Sequence, residues 1–157
     1  MKNGLAVWGD EEASLNGCAA GGIQESPDAP VGIHCILEMY QCPASLLNDE
    51  LYVSNAVEEA ARAAGATLLR HFTHRFDPQG VTAIALLAES HLSIHTWPER
   101  KYAAVDIFTC GTSSEPEKAL AYMVDRFKAH WYSSSVIQRG GKLTEMEPRI
   151  IKHEVRL

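Results

Sequence analysis

Between Glu89 and Glu99 the chain sets two serines, two histidines and two carboxylates within one short run, and Cys110 follows eleven residues later. The run reads Glu89-Ser90-His91-Leu92-Ser93-Ile94-His95-Thr96-Trp97-Pro98-Glu99. Three chemistries are open to such a set. Histidines can ligate a metal. A serine or thiol can act as a nucleophile on a substrate. A serine held in a strained turn can instead attack its own backbone.

Spacing argues against metal. His91 and His95 are four apart, which suits chelation on a helix. Their neighbours Leu92, Ser93, Ile94, Thr96 and Trp97 favour a strand. Four strand residues span about 13 Å at ~3.3 Å each, so the two imidazoles cannot share an ion. His71 and His74 point to opposite faces of a strand by parity. No metal is expected.

The elements that must position these groups can be read on either side. A strand is predicted at Val31–Tyr40. Pro43 opens a helix running to Ala64, with Val53, Val57, Ala60, Ala61 and Ala64 as its apolar stripe and Gly65 as its stop. Strands follow at Ala66–Phe76, Val81–Ala88, His91–Trp97 and Ala103–Cys110, with Asp77-Pro78-Gln79-Gly80 as a turn. Ser114-Glu115-Pro116-Glu117 reads as a capping box. It opens a helix with Leu120, Met123, Val124, Phe127 and Trp131 on one face. A last strand covers Tyr132–Gln138. The order implies an α+β two-layer domain with a mostly antiparallel sheet covered by helices on one face.

A hairpin centred near Arg100 pairs residues whose numbers sum to about 200. Cys110 then lies across from Ser90, within ~5 Å at Cβ. His95 lies roughly 16 Å along the strand from Ser90 and points the other way. It falls beside Thr82 and Ile84, at the end of the sheet that holds Phe76. The residues therefore sort into two half-sites, Ser90 with Cys110 and Thr82 with His95 and Phe76. A twofold dimer can join what one protomer keeps apart. The plainer readings are a small buried hydrophobe for Cys110, a core histidine for His95, a core ring for Phe76 and a solvated turn residue for Glu99.

At 157 residues the chain suits one domain with a real core. A net charge of −6 carries no basic footprint for nucleic acid. No apolar run is long enough to span a membrane, and the first residues do not read as a signal peptide. Cys18, Cys35, Cys42 and Cys110 form no Cys-x-x-Cys pair, so free thiols in the cytoplasm are expected. Residues 1–30, rich in Gly, Ala, Ser and acids, read as a flexible extension. The domain is placed at 31–139 and a mobile tail at 140–157.

The run from Glu89 to Glu99 and the block Tyr102-Ala103-Ala104-Val105-Asp106-Ile107-Phe108-Thr109-Cys110-Gly111 resemble the small prokaryotic S-adenosylmethionine decarboxylase proenzymes. Upstream, His74-Arg75-Phe76, Pro78 and Gly80-Val81 fit as well. The resemblance implies self-cleavage between Glu89 and Ser90 into a β-chain, 1–89, and an α-chain, 90–157. Ser90 becomes a pyruvoyl group whose ketone forms a Schiff base with the α-amine of S-adenosylmethionine. Carbon dioxide leaves, and the product is an aminopropyl donor for spermidine synthesis. It further implies Thr82 and His95 in processing, with His95 as base, and Cys110 as proton donor. Phe76 is implied to stack on adenine and Glu99 to hold the ribose hydroxyls. The homodimer is implied to pair its sheets into an αββα sandwich.

Two departures stand out. Thr82-Ala83 replaces the Ser-Gly of many relatives, and the added methyl is expected to slow processing. The turn Glu99-Arg100-Lys101 lacks a glycine, so one of its residues is expected at an awkward φ. Two alternatives stay open: the same chemistry on ornithine or arginine, and a regulatory paralogue that never cleaves.

Overall fold

The computed structural model describes residues 30–111, 113–141 and 149–156. Among these residues seven strands form one sheet: β1 (Gly32–Tyr40), β2 (Leu68–Arg75), β3 (Val81–Leu87), β4 (Ser90–Trp97), β5 (Tyr102–Cys110), β6 (Trp131–Arg139) and β7 (Arg149–Arg156). Their spatial order is β2-β3-β4-β5-β1-β6-β7, and every pairing is antiparallel. Helices α1 (Ala44–Leu47), α2 (Glu50–Ala63) and α3 (Pro116–Arg126) pack on one face of this sheet.

Alternation along the strands explains that one-sided cover. Leu92, Ile94 and Thr96 on β4 are buried, as are Ala103, Val105, Ile107 and Thr109 on β5. The apolar ones among them meet Val53, Val57, Ala60 and Ala61 of α2 and Leu120, Met123 and Phe127 of the α3 segment in one core. Burying each large aliphatic side chain contributes roughly 1.5–3 kcal/mol. The intervening residues lie on the face without helices. There Phe72, Ile84 and Leu86 are 58%, 45% and 48% exposed. Phe72 and Ile84 are directly paired across β2 and β3, so the apolar surface is contiguous.

The structure corrects three local expectations. The first helix is broken at Asn48-Asp49, because the Asp49 carboxylate accepts from the Tyr52 N–H at 3.0 Å and starts α2 afresh. The capping box does not form: Glu115 is the cap residue of α3 without a side-chain bond, and Pro116 takes the first helical position. Trp131 belongs to β6, after α3 has ended. The expected mobile tail of 140–157 is not uniform either, since Arg149–Arg156 pair with β6 as β7. Ile150, Ile151 and Val155 suit a strand, and β6 otherwise presents unpaired backbone groups. The expected extension over 1–30 lies outside the described residues, except for Pro30.

Gly32 sets how closely β1 approaches the end of β5. It pairs with Cys110, and a Cβ there would stand 2.4 Å from the Thr109 carbonyl oxygen. The obstacle is backbone and cannot swing aside. Gly32→Ala is expected to destabilise the fold by ~1–3 kcal/mol, measurable as a lowered denaturation midpoint. An unchanged midpoint would show that β1 has slack at this point.

Candidate active site

The hairpin β4–β5 turns through a single 3₁₀ turn at Pro98–Arg100, and Lys101 closes it at φ 52°. Lys101 is therefore the residue that takes the positive φ expected of this glycine-free turn. Trp97 pairs with Tyr102, so paired numbers sum to 199. Ser90 faces Thr109, one position short of the expected Cys110. The cause is the turn, which centres between Glu99 and Arg100. Cys110 instead reaches back one residue: its N–H donates to the Glu89 carbonyl at 2.9 Å.

Ser90 opens β4 between Leu87 of β3 and Thr109 of β5. Its φ is 154°, a region populated almost only by glycine and costing a side-chain-bearing residue ~1–3 kcal/mol. Its hydroxyl lies 3.1 Å from Nδ1 of His91. The Glu89 carboxylate is turned away and accepts from the Thr67 N–H at 2.9 Å.

Three cysteines in the described residues are outside disulfides. Cys35 and Cys42 are fully buried, and burial pushes the Cys42 thiol up to about 11. Cys110 is half-buried at the end of β5. By alternation it shares the open face with Phe108. Of the three, it is the thiol that is not fully buried.

At the other end of the same strands Thr82 pairs with His95, and Thr82 Oγ1 lies 2.8 Å from His95 Nδ1. Both line a cleft of about 250 Å³ with Phe76, Gln79, Gly80, Thr96, Trp97 and Glu99. Phe76 is 49% exposed, and His74 meets its ring edge-on at 4.6 Å. Glu99 accepts from the Gln79 side-chain amide at 3.1 Å. Below the cleft, the buried Thr96 hydroxyl donates to the Leu47 carbonyl at 2.7 Å and accepts from the Val81 N–H at 2.8 Å. A larger cleft of about 630 Å³ lies along Asn48–Leu51, Ser54, Thr73 and Arg75 and holds none of these groups.

The predicted residues are therefore brought together in two sets, Glu89, Ser90 and Cys110 in one and Phe76, Thr82, His95 and Glu99 in the other. Sequence reasoning missed Gln79, Trp97 and the contact of His91 with Ser90. Trp97 was within reach, because it follows His95 by two and shares its face. Nothing local pairs Gln79 with Glu99, twenty residues away. No group of three His, Cys, Asp or Glu residues among those described is arranged to hold a metal.

Fold and site together define an α+β domain with a cluster of polar and titratable groups at each end of one open-faced sheet. The sequence profile of the S-adenosylmethionine decarboxylase family matches residues 33–140. The chain is 54% identical over 119 residues to an S-adenosylmethionine decarboxylase proenzyme of Synechococcus sp. (strain WH7803), covering 74% of this chain and 93% of that one. It is 46% identical over 110 residues to the proenzyme of that name from Methanococcus aeolicus, covering 70% and 94%. Its fold is similar to the crystal structure of the adenosylmethionine decarboxylase from Aquifex aeolicus VF5, with a TM-score of 0.68, 31% identity and coverage of 75% and 98%. The chain belongs to the S-adenosylmethionine decarboxylase family.

The strain at Ser90 can be measured without cleavage. Ser90→Gly and Ser90→Ala both remove the hydroxyl, but only glycine adopts φ 154° freely. Ser90→Gly is expected to be the more stable of the two by ~1 kcal/mol, after subtracting the entropy glycine loses on folding. Equal denaturation midpoints would show that the positive φ carries no strain.

Proposed function

We propose that Ser90 is the residue this proenzyme converts, by cutting its own chain after Glu89, into the pyruvoyl group with which it decarboxylates S-adenosylmethionine. The product is the aminopropyl donor for spermidine synthesis. One observation carries the reading: the strained Ser90 follows a carbonyl already held by a backbone donor, the Cys110 N–H at 2.9 Å. Strain raises the ground state, and the donor stabilises charge that develops on that oxygen. Ser90 is thus well placed to become the group the family requires, and the pyruvoyl ketone supplies an electron sink for the carboxylate's departure.

The remaining residues divide by half-site. Cys110 delivers the proton to the substrate α-carbon, from the strand end nearest Ser90. Phe76 stacks on the adenine and Glu99, steadied by Gln79, accepts from the ribose hydroxyls. Thr82 and His95 act as a hydrogen-bonded pair in processing, with His95 as base.

One protomer does not unite these groups, because His95 stands five residues along β4 from Ser90, about 16 Å. The cleft of about 250 Å³ is also smaller than the ~300–1,000 Å³ usual for ligand sites. Two sheets packed by their open faces complete the site, forming an αββα sandwich, with Ser90 and Cys110 from one protomer and the cleft residues from its partner. The exposed Phe72, Ile84 and Leu86 support that face as the interface. The cysteines outside disulfides support a cytoplasmic setting.

Several outcomes are expected. Cleavage after Glu89 yields fragments of 89 and 68 residues on a denaturing gel, and Ser90→Ala leaves one uncut band. Cys110→Ala still cuts but releases carbon dioxide from S-adenosylmethionine ~10²–10⁴-fold more slowly. Normal release would remove Cys110 as the donor. The shared site is tested by co-expressing Ser90→Ala with His95→Ala chains, each uncut alone. A mixed dimer restores one intact site, so part of the His95→Ala population is cut. No cutting in purified mixed dimers would mean that each protomer works alone.

A further inference from the structure

We propose that His91 is the base for the first step of self-cleavage, a role distinct from that of His95. The inference rests on the reading of Glu89–Ser90 as the cleavage site.

A general base must lie within about 2.6–3.2 Å of the atom whose proton it takes. His91 Nδ1 is 3.1 Å from the Ser90 hydroxyl oxygen. In the tautomer with its proton on Nε2, the hydroxyl donates to Nδ1. Two other candidate bases are otherwise engaged. The Glu89 carboxylate accepts from Thr67 N–H. His95 has its Nδ1 on Thr82, and within the protomer it lies at the far end of β4. Phe108 meets the His91 ring edge-on at 6.2 Å. Phe108 is itself flanked by His34 at 5.8 Å and by the Arg139 guanidinium at 4.8 Å. The imidazole is thus steadied on the open face.

The step balances within one chain. His91 Nδ1 takes the hydroxyl proton as Ser90 Oγ bonds to the Glu89 carbonyl carbon. The negative charge moves to the carbonyl oxygen, which the Cys110 N–H already holds at 2.9 Å. The imidazolium then gives its proton to the Ser90 nitrogen as the C–N bond breaks. An ester between Glu89 and Ser90 replaces the amide, the imidazole is neutral again, and no co-reactant is needed. Later elimination of that ester falls to the groups of the partner half-site.

The test follows newly made precursor by denaturing gel for the native chain, His91→Ala and His91→Gln, with thermal denaturation as a check on folding. Hydroxylamine cleaves esters but not amides, so it separates a block before the shift from one after it. The expected result is precursor that persists at least ~100-fold longer in both variants. That precursor resists hydroxylamine, and His91→Ala recovers cutting when imidazole is added. His91→Gln serves if the alanine variant fails to fold. Cutting at the native rate in either folded variant would overturn the proposal. So would accumulation of a hydroxylamine-sensitive precursor, which places His91 after the shift. If the native chain itself never cuts after Glu89, the underlying cleavage site is wrong and this inference falls with it.

Discussion

A sheet that buries only one face imposes the constraint on which the rest of this structure depends. Leu92, Ile94 and Thr96 must face the helices if the core is to exclude water. Period-2 alternation then leaves His91, Ser93, His95 and Trp97 with the other side. The same rule sorts β5, where buried Val105 and Ile107 force Phe108 and Cys110 outward. A slip of one residue would exchange the two sets and put imidazoles into the core. The burial that stabilises the fold also delivers His91, His95, Phe108 and Cys110 to one surface, whereas Ser90 shares the parity of Leu92 and opens the strand at a φ of 154°.

That surface is left both reactive and apolar. Phe72, Ile84 and Leu86 sit among its polar groups without a cover from this chain's helices. The rigid parts lie where geometry matters most. Ser90 is paired on both sides, and its strained φ persists because neighbouring strands over-determine it. Phe76 and Glu99 rest on turns, yet Thr96 beside them is tied to α1 and β3 through buried hydrogen bonds.

Much of the fold was legible in the sequence because the apolar periods are strong. The run Val81–Ala88 and the alternation through His95 left little choice of element or face. Where reading failed, a weak local preference met a tertiary demand. Ser114 reads as a helix cap, yet the N–H of Glu115 is drawn to the Ala64 carbonyl at the end of α2, at 2.8 Å. Arg149–Arg156 look like charged tail until β6 is seen to need a neighbour. Asn48-Asp49 breaks a helix whose apolar stripe runs on, because the Asp49 cap prevails.

The sequence by itself determined that Thr82 meets His95 and that Ser90 and His95 fall at opposite ends of one strand. Those statements follow from side-chain type, alternation and strand length, which are local. Only the tertiary structure decided the register, one residue tighter than the turn residues suggested. With it came the Cys110 N–H on the Glu89 carbonyl, the positive φ of Ser90 and the contact of Gln79 with Glu99. Register is set by the conformation of the turn, and a backbone dihedral by strands on both sides. Neither is a property of the residues taken one after another.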